Sequence, residues 1–377
     1  MNTRLRQVLN HLCETLTKRQ METDALYRHA LDWEPVERPP LVATYPLPGD
    51  ARFQPYPHRE TFDDPEKMLY NELVHAFDTS IALHSGLGDD LPLTVRANFG
   101  TVLIASMFGA SVEQTGDNPP WIVHRESHSF SLGQIADTDP LDFARGWIPR
   151  ALETMRVYLQ LFDEYPALGA KIRIVLPDLQ GPFDNLELIR GSDVFLDLAD
   201  TPEAVDRAMT AMATAQIGLT RYFGQWTTEP EEGYCHQHAV MLKGNILLRN
   251  DSCIMLSPTM YRQQIAPHDE RVLRELGGGG IHSCGTVEHL VDEWLGLPSI
   301  RSLDLGQPEL NDLDTIYAKA AAKQVPLIRL AASEADICSG EAGRCFPTGV
   351  VVIHRAKDFQ SARAMLRKEI QELPSTA

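Results

Sequence analysis

The sequence predicts an α/β protein, a single (β/α)8 barrel with an N-terminal helical extension and a lid-like excursion after the second strand. Three observations predict it. Eight short apolar runs of strand character recur along the chain, most of them separated by a helical stretch, and that alternation implies a parallel sheet. Eight repeats imply closure, and 377 residues suffice for one such unit. No Gly-x-Gly-x-x-Gly follows an early strand, which disfavours an open doubly wound sheet.

Each element has its own signal. Residues 1–35 form the extension, where Leu5, Val8, Leu9, Leu12 and Leu16 recur at helical spacing and are expected to pack outside the main body. The barrel takes residues 36–377. Pro39 and Pro40 end a polar lead-in, and Leu41 to Tyr45 is the first strand. Asp64-Pro65 opens a helix, because a capping carboxylate precedes a proline suited to the first turn. Leu93 to Asn98 is the second strand. Ser111 to Asp142, rich in Pro, Gly, Ser, His and Asp, is the excursion; its His124 and His128 could reach a pocket. Lys171 to Pro177 is the third strand. Thr201-Pro202-Glu203 then opens a helix with Val205, Met209, Met212, Leu219 and Tyr222 on one face.

Asn245 to Arg249 is the fourth strand and ends in Asn250-Asp251. Ser257-Pro258 starts a helix that Gly277 stops. The glycine run Gly277 to Gly280 leads into the fifth strand, which carries His282 and Cys284. Val287, Leu290, Val291 and Trp294 mark a short helix, and Ser299 to Leu305 is the sixth strand. A helix from near Asp312 leads to the seventh strand, Val325 to Ala331. Gly349 to His354 is the eighth, followed by a helix with Phe359, Ala362, Met365, Leu366 and Ile370.

Composition narrows the function classes. A net charge of −18 and the absence of basic tracts argue against nucleic acid or an anionic membrane surface as partner. No apolar run reaches bilayer-spanning length, and the N-terminus has no apolar signal core, so the chain is read as cytoplasmic. Six scattered cysteines then read as free thiols or ligands rather than disulfides. Phosphate-binding loops, nucleophile elbows and His-Glu-x-x-His pairs do not occur.

Barrel enzymes carry their chemistry at the C-terminal ends of the strands. That rule selects Arg96, Asp178, Asn250, Asp251, His282, Cys284, Asp304, Gln307, Asn311 and His354. His282 and Cys284 stand two apart on a strand and therefore share a face, and imidazole with thiolate is a donor set that suits zinc. A catalytic zinc wants a third protein ligand and one open position. His354 is the leading candidate, with Cys345 next and Cys338 behind it. Asp251, Gln307 and Asn311 are expected in the pocket as catalytic or substrate-contacting groups. Cys235-His236-Gln237-His238 precedes a strand, so it is expected on the opposite rim, at the surface.

At these residues the chain resembles the uroporphyrinogen decarboxylase superfamily, which includes zinc-dependent corrinoid methyltransferases. The resemblance rests on Arg190-Gly191-Ser192-Asp193-Val194-Phe195-Leu196-Asp197-Leu198 leading to Thr201-Pro202-Glu203, and on Asp251 with Leu256-Ser257-Pro258. Ile281-His282-Ser283-Cys284-Gly285 is the strongest stretch, and Gly306-Gln307-Pro308-Glu309 and Thr348-Gly349-Val350-Val351 add to it. The resemblance implies a (β/α)8 barrel and, in the methyltransferase branch, zinc on the His and Cys of His-x-Cys-Gly, completed by a late cysteine on the last strand. His282 and Cys284 match; the last strand offers His354 and no cysteine. The decarboxylase branch implies an arginine-rich N-terminal segment, and Glu37-Arg38-Pro39-Pro40-Leu41-Val42 departs from it.

The expectation is thus a zinc-dependent methyltransferase. It would move a methyl group between a small molecule (a methoxylated or methylated compound, a thiol or a folate) and a corrinoid. No Asp-x-His-x-x-Gly motif occurs, so the corrinoid would sit on a separate partner protein. Two alternatives stay open: a metal-independent decarboxylase using Arg96 or Arg249, and a non-catalytic barrel that binds a corrinoid or tetrapyrrole.

Overall fold

A computed structural model describes residues 1–16, 20–124, 130–229 and 233–371. Eight parallel strands organise the chain, here β1 to β8: Leu41–Thr44, Thr94–Arg96, Arg173–Val175, Leu247–Arg249, Gly279–Ser283, Ile300–Leu305, Leu327–Ala331 and Val350–Arg355. Each lies inside or within a residue of an expected run. Six form one parallel sheet in the order β1-β8-β7-β6-β5-β4, and β2 pairs with β3. Other hydrogen bonds stitch the seams between the two ladders. Asp89 and Asp90, just before β2, accept from the backbone N–H groups of Ala43 (3.0 Å) and Leu41 (2.9 Å) on β1. Gly181 N–H, after β3, donates to Arg249 O at the end of β4 (2.8 Å). The arrangement is an α/β fold consistent with a barrel.

A β-hairpin fills the space the sheet encloses. Tyr234–Gln237 pairs antiparallel with Val240–Lys243. Its Cys235, Val240, Met241 and Leu242 pack in one buried cluster with Val42 of β1, Leu247 of β4, Ile328 of β7 and Val351 of β8. Side chains from both edges of the six-stranded sheet therefore meet on one hairpin, which requires the sheet to curve around it. Tyr27 and Leu31 of the helix Gln20–Leu31 join the same cluster from below. Close approach of backbone explains the glycine run: a Cβ on Gly279 would stand 2.5 Å from Ile246 O.

The outer layer follows the expected caps. Asp64 accepts from Glu66 and Lys67 N–H, with Pro65 in the first turn of Pro65–Val74. Ser257 accepts from Met260 N–H, and Asp312 caps Leu313–Lys323 through Thr315 N–H. The N-terminal helix Thr3–Thr15 joins this layer with Leu5, Val8, Leu9 and Leu12 fully buried. Each such side chain contributes roughly 1.5–3 kcal/mol relative to exposure. The excursion is partly built into the layer: its helix Leu132–Asp137 lies against the long helix Pro202–Gly224. All six cysteines are free thiols. Among the described residues, no helix is long and apolar enough to cross a membrane.

Candidate active site

The fifth strand brings its imidazole and thiol together at the C-terminal rim. His282 Nε2 lies 3.6 Å from Cys284 Sγ and 3.6 Å from Asp251 Oδ1, which comes from the end of β4. These three donors form one of two clusters among the described residues close enough to hold a cation; His238, His282 and Asp304 form the other. Local structure fixes each member. Asp251 Oδ1 accepts from Cys284 N–H at 2.6 Å, which ties the two strand ends. Buried Asp184 accepts from Asp251 and Ser252 N–H and holds the 3-10 turn Asp251–Met255. Burial, and then the charge of Asp251, raise the Asp184 carboxyl to about 8.

Asp304, fully buried on β6, orients the imidazole: its Oδ2 lies 2.8 Å from His282 Nδ1. Burial opposes charge on the ring, but the Asp304 carboxylate outweighs it and raises His282 to about 10. Burial likewise penalises Asp304, yet His282 and Arg329 hold it well below the usual carboxylate range. With Nδ1 committed to Asp304, Nε2 is the atom left for a ligand. Gly306 keeps the space beside these donors clear. A Cβ there would stand 2.7 Å from Cys284 Sγ and 2.8 Å from His282 Cε1.

The hairpin tip overturns one expectation. His236 and Gln237 are buried, and His238 is carried up the middle of the fold to the same rim as His282, not to the surface. The rings of His238 and His282 stand 4.8 Å apart. Arg249 Nε donates to His238 Nε2 (2.9 Å), so His238 Nδ1 carries the hydrogen and donates to Asp304 Oδ2 (3.0 Å). Burial, then Arg249, lower His238 to about 3, which keeps it neutral. Arg249 is itself committed to Asp178 (3.0 Å) and Gln237 (2.8 Å). Arg96 lies 3.7 Å from Asp178 and 4.3 Å from the Phe77 ring centre.

Backbone strain collects around one cleft. A cleft of about 830 Å³ opens on this rim, with Gly306, Gln307, His238, Arg329 and His354 in its lining. Eight non-glycine residues have positive φ among the described residues, and five of them, Phe77, Asp78, His238, Ala239 and Arg329, line this cleft. Both two-residue turns, Phe77-Asp78 and His238-Ala239, have positive φ at each central residue, where Asn-Gly would be relaxed. Such conformations cost of order 1–3 kcal/mol each and gather where function requires them.

Sequence-selected residues divide by place. Asp251, His282 and Cys284 converge. His354 does not join them: its Nδ1 lies 3.0 Å from Ala332 O, and it lines the cleft wall. Cys345 is exposed beside Glu341, and Cys338 lines a separate hollow with Arg38. Gln307 and Asn311 clamp the loop after β5. Gln307 Oε1 accepts from Gly285 N–H (2.9 Å), and Asn311 Oδ1 accepts from Val287 N–H (2.8 Å). His124 lies against Gly191, and His128 falls outside the described residues. The strand-end rule does not single out His238, Arg329 or Phe77. The alternation of Tyr234–Lys243 could have signalled a hairpin, but His-Ala at its centre is not a recognisable two-residue turn.

Comparison with known proteins bears on the fold. No family model and no curated protein matches the chain. Among solved structures, a methyltransferase from Methanosarcina mazei is similar, with a TM-score of 0.64 and 15% identity over 93% of this chain and 98% of that one. The two chains share a fold over nearly their whole lengths.

Proposed function

We propose that this chain is a (β/α)8-barrel methyltransferase that uses zinc held by Asp251, His282 and Cys284. The observation that carries the reading is the convergence of these three donors on one point, with Asp304 behind the imidazole and no Cβ on Gly306 to fill the space. Two nitrogen and sulfur donors with one carboxylate, and room for a further ligand, fit a catalytic zinc site. The structural likeness to a methyltransferase supports the choice of reaction class. His354, expected as a ligand, serves in this reading as a cleft-wall residue.

The protein's residues have distinct tasks. Zinc, when bound, lowers the pKa of a thiol or polarises the heteroatom that bears a methyl group. Asp304 accepts the Nδ1 hydrogen of His282 and so presents the Nε2 lone pair to the site. To hold a metal, His282 would have to give up the Nε2 proton that the Asp304 carboxylate favours, and Asp304 would stay charged behind the ring. Asp251 and Asp184 fix the turn after β4, and Gln307 and Asn311 fix the loop after β5. The methyl acceptor or donor in the cleft is a small methoxylated or methylated molecule, a thiol or a folate. The other party is a corrinoid carried by a separate protein.

The test uses zinc-loaded protein, free cob(I)alamin and one donor from each class: a methoxylated arene, a methyl thioether and methyltetrahydrofolate. The expected result is formation of methylcobalamin, seen in the visible spectrum, with one donor. It should be absent in the His282→Ala, Cys284→Ala double variant, which should also lose its zinc. No transfer with any donor, together with chelator-insensitive release of carbon dioxide from a carboxylic acid, would establish the lyase alternative instead.

A further inference from the structure

Four guanidinium groups reach the rim, and they are held differently. Arg355, at the end of β8, also lines the cleft but is 85% exposed and lies 3.7 Å from exposed Asp78, so water and salt screen it. Arg249 is sealed in: its side chain keeps 4% of its surface and is bonded to Asp178, Gln237 and His238. Arg96 keeps 12% and faces a small hollow of about 20 Å³, room for one water. Arg329 keeps 28% and lines the 830 Å³ cleft, within the volume range typical of small-molecule sites. Its Nη1 lies 3.2 Å from His238 Nδ1 and 3.8 Å from Asp304 Oδ2. Arg329 therefore stands at the edge of the buried network and faces open space.

Its backbone explains how it comes to face that way. Three residue steps on β7, Leu327 to Leu330, oppose two on β8, Val350 to Val352, so the seventh strand carries one extra residue. Arg329 sits in this bulge at φ +64°. A bulge re-aims a side chain, and a left-handed residue in a bulge is ordinarily glycine. Here a long β-position arginine occupies it. The strain would be relieved by removing the side chain, so the guanidinium has a use that outweighs it.

We propose that Arg329 is the anion-recognition residue of the cleft, and that the substrate of the methyl-transfer site is a small molecule with a carboxylate. This rests on the reading of the rim as a methyltransferase site. A planar fork of donors matches a carboxylate in two-point contact. Arg329 Nη1 and His282 Nδ1 approach the same oxygen of Asp304, so the anion site and the metal donors lie within one small molecule's length of each other. Gly306 lines the cleft and abuts His282 and Cys284, which opens the path between them. The acidic residues of the cleft, Asp78, Glu309 and Glu334, are solvent-exposed at its lip, where water and salt screen them.

The experiment compares 4-methoxybenzoate with its neutral counterpart, 4-methoxybenzamide, by calorimetric titration of zinc-loaded protein. The carboxylate should bind about tenfold or more tightly than the amide, the worth of one charge-assisted contact. R329G should abolish that preference while its thermal midpoint stays equal to or above that of the parent, because glycine relaxes the bulge. A purely structural arginine would give the opposite, a lower midpoint and an unchanged preference. R329K should retain part of the preference. Equal binding of the two compounds, no binding of either at millimolar concentration, or an intact preference in R329G overturns the proposal. Zinc content of the same samples reports separately on the metal reading: a preference that survives in protein unable to hold zinc leaves the anion site and sinks the methyltransferase.

Discussion

Two walls of the rim are built by different means: the donor cluster, which Gly306 joins to the cleft, and the lining of the cleft itself. The β4–β6 wall uses ordinary backbone: His282 and Cys284 share a face at the end of β5, Asp251 and Asp304 come from the strands on its two sides, and Gly306 leaves space. The facing wall, from the Phe77-Asp78 turn through the hairpin tip to the β7 bulge, uses strained backbone at each functional position. Regular strands suffice to hold donors at fixed spacing. Turning single side chains inward from turns and bulges takes conformations that glycine would adopt freely. The comparison teaches that precision on one wall is a matter of register, and on the other of local strain.

The largest expected effect lies on the relaxed wall. Gly306→Ala places a methyl group within 2.8 Å of both Cys284 and His282. It should cost about 1–3 kcal/mol of stability and abolish stoichiometric zinc, read by denaturant unfolding and elemental analysis. Unchanged stability and zinc would mean that the donors are free to move. Next is Asp304→Asn, which removes the carboxylate behind His282 and should weaken zinc binding about 10- to 100-fold, measured by competition with a chelating dye. Smallest is Ala239→Gly on the strained wall. It should raise stability by up to about 1 kcal/mol, the left-handed cost it relieves less the chain entropy glycine adds, in urea titration and leave zinc untouched. A loss of stability there would erase the proposed contrast between the walls.

The same contrast decides what the sequence discloses. All eight strands are legible, because each is a short apolar run and most are separated by helices, some with readable caps such as Asp64-Pro65 and Ser257-Pro258. Placement of His282, Cys284, Asp251 and Asp304 on one rim followed from strand order alone. What sequence reading missed was carried by irregular backbone. The Cys235–His238 stretch reads as surface because it precedes a strand, yet it is the rising arm of an internal hairpin. Arg329 reads as one residue of a regular strand, since nothing local announces a bulge. Strand order points to His354 on the last strand as the third donor, whereas the carboxylate beside His282 Nε2 and Cys284 comes from Asp251, which Cys284 N–H and Asp184 hold in place.

The choice between Asp251 and His354 as third donor is open to direct measurement. Zinc per chain should be determined for the parent protein and for Asp251→Ala and His354→Ala after dialysis against a weak chelator. The account predicts close to one zinc in the parent and in His354→Ala, and little or none in Asp251→Ala. Full zinc in Asp251→Ala, or its loss in His354→Ala, would contradict it.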